Sequence, residues 1–111
     1  MINVALFGFG RIGQMHAENL CKNKEIKLLY VYEKSNELNK KAKNLYDCKI
    51  EKDYNKIFKD KTVDIIFISS PTNTHIKFIE EGIKTKKTIF CEKPLDLDIN
   101  KIINTLKKVK K

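Results

Sequence analysis

A doubly wound α/β fold on a parallel sheet, with strand order 3-2-1-4-5, is what this sequence predicts. Three observations lead to it. Short apolar runs alternate with stretches of helical periodicity along the whole chain. The later runs are nearly continuous in apolar residues, as strands buried on both faces of a parallel sheet require. Polar loops fall where strands end, after Phe7, Tyr32, Ile68 and Cys91. With right-handed crossovers those carboxyl ends share one edge, and ligands bind there, where the strand order reverses.

The first run, Val4-Ala5-Leu6-Phe7, passes directly into Gly8-Phe9-Gly10-Arg11-Ile12-Gly13. This is a G-x-G-x-x-G loop at a strand-to-helix junction. Gly8 answers the need for a tight turn, Gly10 for close approach of the backbone to a pyrophosphate, and Gly13 for close packing of helix on strand. The first-turn amides of the helix, at its positive dipole end, favour the diphosphate. The helix is predicted from about Arg11 to Cys21, with Gly13, Ala17 and Leu20 facing the sheet and His16 as a packing residue. The second strand, 26–32, ends in Glu33. An acid about 20 positions past the glycines is what a dinucleotide site uses to accept from the adenosine ribose hydroxyls.

Ser35 is a natural N-cap for a second helix, with Leu38, Ala42 and Leu45 at helical spacing. A brief strand is expected at Cys48–Ile50, a helical turn at Tyr54–Phe58 and a linker at Asp60. Val63–Ile68 is the fourth strand, and Ser69–Thr74 a polar turn. The helix that follows carries Ile76, Ile79 and Ile83 on one face, with Gly82 as a blemish near its end. Thr88–Cys91 is the fifth strand, stopped by Glu92-Lys93-Pro94. Asp98 then caps a last helix striped with Ile99, Ile102, Ile103, Leu106 and Val109.

The 111 residues, 41% hydrophobic and 33% charged, make one globular dinucleotide-binding domain, 1–111. No stretch approaches the ~18 apolar residues of a membrane span. The first strand begins too early for a signal core, so no membrane partner and a cytoplasmic location are expected. Cys21, Cys48 and Cys91 lie too far apart for a C-x-x-C pair, no metal site is expected, and Cys91 reads as a buried, inert thiol. The net charge of +9 suggests a nucleic-acid partner, yet Arg11 is the sole arginine among 23 basic residues and the lysines are scattered. Specific recognition of phosphate and bases favours arginine, so solvated lysine faces and no specific nucleic acid are expected.

Gly8–Gly13 with His16-Ala17, Thr72-Asn73-Thr74-His75 and Cys91-Glu92-Lys93-Pro94-Leu95-Asp96-Leu97-Asp98 together resemble the Gfo/Idh/MocA oxidoreductase family, in its N-terminal NAD-binding Rossmann domain. Within it, the R-I-G-x-x-H-A opening and the C-E-K-P-L-D-L-D stretch are most similar to inositol 2-dehydrogenases. The resemblance implies NAD(P)-dependent oxidation of a secondary hydroxyl on a cyclic polyol or sugar. It puts the pyrophosphate on Gly8, Phe9, Gly10, Arg11, Ile12 and Gly13, and the adenosine ribose on Glu33. Ser70, Pro71, Thr72, Asn73 and His75 would line the path to the nicotinamide ribose. Glu92 and Lys93 would sit beside that ribose, with Lys93 reaching the substrate hydroxyl as the catalytic residue. The family's common acid at position 33 is Asp, so Glu33 reaches with one more methylene. Lys34 beside it could meet a 2′-phosphate, which keeps NADP as an alternative cofactor.

Family members continue into a second α/β domain that supplies the substrate pocket and usually the oligomer interface. This chain ends at Lys111, before that domain. The resemblance therefore implies cofactor binding without turnover by these residues alone, and homo-oligomers only with the second domain. The other reading is a stand-alone dinucleotide-binding module with a regulatory or redox-sensing role.

Overall fold

The structure of the chain is a computed structural model that describes residues 1–91, apart from the side chain of Thr72. In chain order the elements are β1 (Ile2–Phe7), α1 (Arg11–Cys21), β2 (Ile26–Tyr32), α2 (Asn36–Leu45), β3 (Lys49–Ile50), α3 (Tyr54–Lys59), β4 (Ile65–Ile68), a short 3-10 turn (Thr72–Thr74), α4 (His75–Lys84) and β5 (Thr88–Cys91). The five strands form one sheet in the order β3-β2-β1-β4-β5, every neighbouring pair parallel. That is the order the sequence predicts. The Glu92-Lys93-Pro94 stop and the final helix from Asp98 lie outside the described residues.

β1 is the central strand, and its alternation divides the core. Val4 and Leu6 point to one face, where they meet Leu28, Val31, Phe67, Ala17 of α1 and Ala42 of α2. Ala5 and Phe7 point to the other, with Ile57 and Phe58 of α3 and Phe78 and Ile79 of α4. Side chains alternate across a strand, so a run buried on both faces can only be apolar throughout. On the second face Phe7 is ringed by Tyr32, Phe58 and Phe78 at centroid distances of 5.0, 5.3 and 4.7 Å. The Phe58 and Phe78 contacts are edge-to-face, the arrangement that ring quadrupoles favour.

Several details depart from the sequence reading. β4 begins at Ile65, so Val63 and Asp64 precede the strand. Asp64 still pairs with β1: its amide donates to the Asn3 carbonyl at 2.9 Å, and its carboxylate accepts from the Asn3 amide at 2.8 Å. Of the three residues at helical spacing in α2, Ala42 is buried and Leu38 packs on the core, but Leu45 is 58% exposed, and the polar Asn39 is buried beside Ala42. Ile76 is only half-buried, and α4 buries His75, Phe78, Ile79 and Gly82. Gly82 is no blemish, since a Cβ there would lie 2.0 Å from Ile89 Cδ1 of β5. α4 closes in a Schellman motif: the Lys87 amide donates to the Gly82 carbonyl and that of Lys86 to the Ile83 carbonyl. Lys86 supplies the left-handed residue of the motif at φ 60°, where glycine is the usual choice.

Cys91 is half-buried rather than buried, Cys48 is buried, and Cys21 is exposed, and none of the three is in a disulfide. Among the described residues no helix is long and apolar enough to cross a membrane. Nor, among them, does any cluster of His, Cys, Asp and Glu have the makings of a metal site.

A polar cluster ties the linker before β4 to the sheet. The Asp60 carboxylate accepts from the Thr62 amide at 2.9 Å, the Thr62 hydroxyl at 2.6 Å and the Tyr30 hydroxyl at 2.6 Å. Lys87 Nζ donates to the carbonyls of Asp60 and Val63 at 2.6 and 3.0 Å. The bonds from Thr62 and Tyr30 hold the Asp60 carboxyl down to about 2, and the same Tyr30–Asp60 bond pushes the Tyr30 phenol up to about 12. A carboxyl whose pKa is depressed on folding lends stability above its unfolded pKa and loses it as pH falls through the folded one. Thermal melts of Asp60→Asn should therefore trail the native protein most above pH ~4, and the gap should close toward pH ~2. A gap that stayed constant over that window would remove Asp60 from the acid response.

Candidate functional site

A cavity of about 750 Å³ opens at the carboxyl ends of β1, β2 and β4, on both sides of the point where strand order reverses. The glycine loop and α1 give it Gly8, Gly10, Arg11, Ile12 and Gly13, and the end of β2 gives Tyr32, Glu33 and Lys34. The loop after β4 and the start of α4 give Ser69, Ser70, Pro71, Asn73, Thr74, His75, Lys77 and Phe78.

The three glycines of the loop differ in what surrounds them. Gly8 has φ +97°, and a Cβ on it would lie 2.6 Å from the Ser70 amide nitrogen. A Cβ on Gly13 would lie 2.1 Å from the Gly8 carbonyl oxygen. Both positions are thus dictated by the protein itself. Around Gly10 a Cβ would meet nothing within 4 Å. Gly10 is also the N-cap of α1 and has no side chain with which to satisfy the helix. The amides of the first turn, which have no intrahelical acceptor, lie beside this open space. Together they form a concave donor surface that suits an anion.

Glu33 closes the other side. Its carboxylate accepts from the Phe9 amide at 2.8 Å and from the Ser35 amide at 2.9 Å. A carboxylate has about four lone-pair directions, so these bonds orient it and leave acceptor capacity for a ligand hydroxyl. Behind it, Asn39 donates to the Glu33 carbonyl at 2.8 Å and pins the end of β2 to α2. Phe9 contributes its backbone alone. Its side chain is wholly buried, edge-on to Tyr46 at 6.3 Å, and does not reach the cavity.

The loop after β4 is held from within. The Ser69 hydroxyl donates to the Phe7 and Gly8 carbonyls at 3.2 and 3.1 Å, joining β4 to the glycine turn. The Thr74 hydroxyl donates to the Pro71 carbonyl at 2.6 Å and receives the Ser70 hydroxyl at 2.7 Å. His75 is buried with Nε2 2.8 Å from the Ser70 carbonyl. A carbonyl can only accept, so Nε2 carries the proton. His16 lies away from the cavity lining, its ring 4.6 Å from that of Phe67, as a packing residue should. Glu92 and Lys93 lie outside the described residues. Tyr32, Ser69, Thr74, Lys77 and Phe78 line the cavity without being among the site residues read from the sequence, although Ser69 and Thr74 belong to the polar turn identified there. Tyr32 and Phe78 look like core in a hydropathy pattern, and Lys77 is one lysine among many; only the fold brings the end of β2 and the first turn of α4 to one wall, where the Tyr32 and Phe78 rings meet at 5.9 Å.

The family model for the Gfo/Idh/MocA oxidoreductases, with an NAD-binding Rossmann fold, matches residues 2–111. The chain is 34% identical to a myo-inositol 2-dehydrogenase of Thermotoga maritima over 99% of its own length and 33% of the relative's. A crystal structure of a myo-inositol dehydrogenase from Corynebacterium glutamicum superposes with a TM-score of 0.90 at 30% identity, covering 99% of this chain and 33% of that one. So does scyllo-inositol dehydrogenase from Lactobacillus casei with bound NAD(H) and scyllo-inositol, at TM-score 0.89, 29% identity and the same coverage. The chain spans about one third of the length of the curated relatives it matches.

The unequal surroundings of the glycines yield a prediction. Gly13→Ala should destabilise the fold by roughly 1–3 kcal/mol, because its methyl group must displace backbone. Gly10→Ala should leave the unfolding free energy within about 1 kcal/mol of the native value yet weaken binding of NAD severalfold, since its methyl intrudes only on ligand space. Equal loss of stability in both variants would count against the distinction.

Proposed function

The chain belongs to the Gfo/Idh/MocA oxidoreductase family, and on that premise we propose that residues 1–111 are the dinucleotide-binding domain of a dehydrogenase acting on a secondary hydroxyl of a cyclic polyol or sugar, as inositol 2-dehydrogenases do. One observation carries the reading: the open space over Gly10, with the first-turn amides of α1 on one side and the oriented Glu33 carboxylate on the other. A pyrophosphate fits the first, and an adenosine ribose diol fits the second. Gly8, Gly10, Arg11, Ile12 and Gly13 would hold the diphosphate, and Ser70, Pro71, Thr72, Asn73 and His75 would line the way to the nicotinamide ribose.

NAD, when bound, supplies the hydride acceptor. Lys93 is assigned by resemblance to the substrate hydroxyl, where its ammonium would stabilise the negative charge that develops on oxygen as the proton leaves. Glu92 would stand beside the same ribose. Turnover further requires the substrate's other hydroxyls to be fixed, because orientation accounts for a large part of the barrier. We assign that task to residues beyond these 111, so that this chain alone binds cofactor without turning over substrate, and any homo-oligomer forms through those further residues. Cys21, Cys48 and Cys91, outside any disulfide, suit a reducing compartment, and we place the protein in the cytoplasm.

Calorimetric titration should give tighter binding of NAD than of NADP, because Glu33 accepts from the ribose hydroxyls and repels a 2′-phosphate. Glu33→Gln should narrow the difference, a hydrogen bond to a charged group contributing roughly 1.5–3 kcal/mol. Preference for NADP in the native chain would reject the assignment of Glu33.

Catalysis is tested by fusing the chain to the remaining two thirds of an inositol dehydrogenase relative. The fusion should oxidise inositol, and its Lys93→Ala form should lose kcat by about two orders of magnitude or more while NAD affinity stays within a few-fold. An unchanged kcat would exclude Lys93 from the chemistry, and turnover by the bare 111 residues would overturn the division of labour.

A further inference from the structure

The end of β2 is held by a residue that does not itself line the cavity. α2 buries Asn39 and Ala42, and Asn39 is only 6% exposed. Asparagine is disfavoured there on two counts, weak helix propensity and a polar side chain taken out of water. Its amide is half-used. Nδ2 donates to the Glu33 carbonyl at 2.8 Å. A carbonyl can only accept, so the nitrogen is the atom that faces Glu33, and Oδ1 is turned away from it. Among the described residues Oδ1 is buried with no hydrogen-bond partner. An apolar residue of similar shape would avoid that cost. The use of the Asn39 side chain therefore lies in its bond to Glu33.

That bond falls where the sheet stops. Pairing of β1 with β2 ends at Phe7 and Tyr32, and the Gly8 amide donates to the Tyr32 carbonyl at 2.8 Å. One residue on, the Glu33 carbonyl is past the ladder and takes its hydrogen from α2 instead. Holding this carbonyl fixes the plane of the Glu33–Lys34 peptide. Ser35 is tied to the same helix: the Leu38 amide donates to its hydroxyl at 3.3 Å, and the Asn39 amide to its carbonyl at 3.0 Å. The Glu33 main chain and the Ser35 amide, one of the two donors to the Glu33 carboxylate, are thus set against one turn of α2. With the Glu33 carbonyl released, the 33–34 peptide is free to turn and to carry the carboxylate off the Phe9 and Ser35 amides.

We propose that Asn39 is a positioning residue for cofactor binding: its amide keeps the Glu33 carboxylate aimed into the cavity, at a cost to the stability of the core, and touches no ligand itself. This role rests on the reading of the cavity as a dinucleotide site with Glu33 at the adenosine ribose. Binding and folding make opposite demands at position 39, since the donor that binding needs brings with it an acceptor that the core leaves unpaired.

The experiment measures thermal unfolding and calorimetric NAD affinity for the full 111-residue chain, as native protein, Asn39→Leu, Asn39→Ala, Glu33→Gln and the Asn39→Leu, Glu33→Gln double variant. Leucine keeps the branched shape of asparagine and lacks its donor. The Asn39→Leu midpoint should fall no more than about 4 °C below the native one, because better helix propensity and removal of the unpaired Oδ1 offset the lost bond. Its NAD dissociation constant should rise roughly threefold to tenfold, the scale of one hydrogen bond. Glu33→Gln should weaken NAD by a smaller factor in the Asn39→Leu background than in the native one, because a carboxylate already off its aim has less to lose. A merely structural role at position 39 gives factors that multiply. NAD affinity within about twofold of native in both Asn39 variants, or multiplying factors in the double variant, would overturn the proposal and leave the dinucleotide reading intact. Loss of the fold in both Asn39 variants would overturn it too, since Asn39 would then be required for folding. A native chain that fails to bind NAD, or whose affinity Glu33→Gln leaves unmoved, would overturn the reading of the site along with it.

Discussion

The Gly13 Cα sits against the Gly8 carbonyl with no room for a side chain between them, and the rest of the site depends on that contact. It draws the start of α1 onto the end of β1 and so fixes which way the first-turn amides face. Ser69 completes the joint by donating to the Phe7 and Gly8 carbonyls, which carries the alignment across to β4. A helix seated a few ångströms higher would keep its dipole and lose its aim. The anion-binding surface is therefore a product of backbone-to-backbone packing, in which side chains take only a supporting part.

The wall opposite is built from the aromatic layer on the other face of the sheet. Phe7 gathers Tyr32, Phe58 and Phe78, and Tyr54 joins through Tyr32 and Phe78. Tyr32 and Phe78 belong to this core and border the cavity as well. Burial and recognition thus share residues. Rings are suited to this double duty, since they bring large contact areas with few rotatable bonds and present a polar or cationic partner at one edge.

Much of this was legible in the sequence because it depends on local rules. The alternation of apolar runs and helical stretches fixes the topology once right-handed crossovers are assumed, and the glycine loop declares its own junction. The Ser35 cap is where a serine before a helical pattern belongs, and its hydroxyl accepts from the Leu38 amide at 3.3 Å. The misses have a common cause. Leu45 and Ile76 were assigned from periodicity alone, yet the tilt of a helix over its sheet decides which flank is covered. Gly82 looked like a defect because its reason, Ile89, comes from a different element. Lys77 cannot be told from other lysines in the sequence, because only the fold brings the first turn of α4 to the cavity wall. Long-range juxtaposition is what a single sequence withholds.

The loop also contains a record of use. Two of its glycines are enforced by the fold, so their presence says only that the chain folds. Gly10 answers to no neighbour, and glycine there carries an entropic cost in the unfolded chain that a larger residue would reduce. A lineage that stopped binding nucleotide could drift at this position first, with no loss of structure to oppose it, while positions 8 and 13 stayed fixed. In any descendant of this chain, the residue at position 10 is where relaxed selection on the ligand would be written before it showed anywhere else.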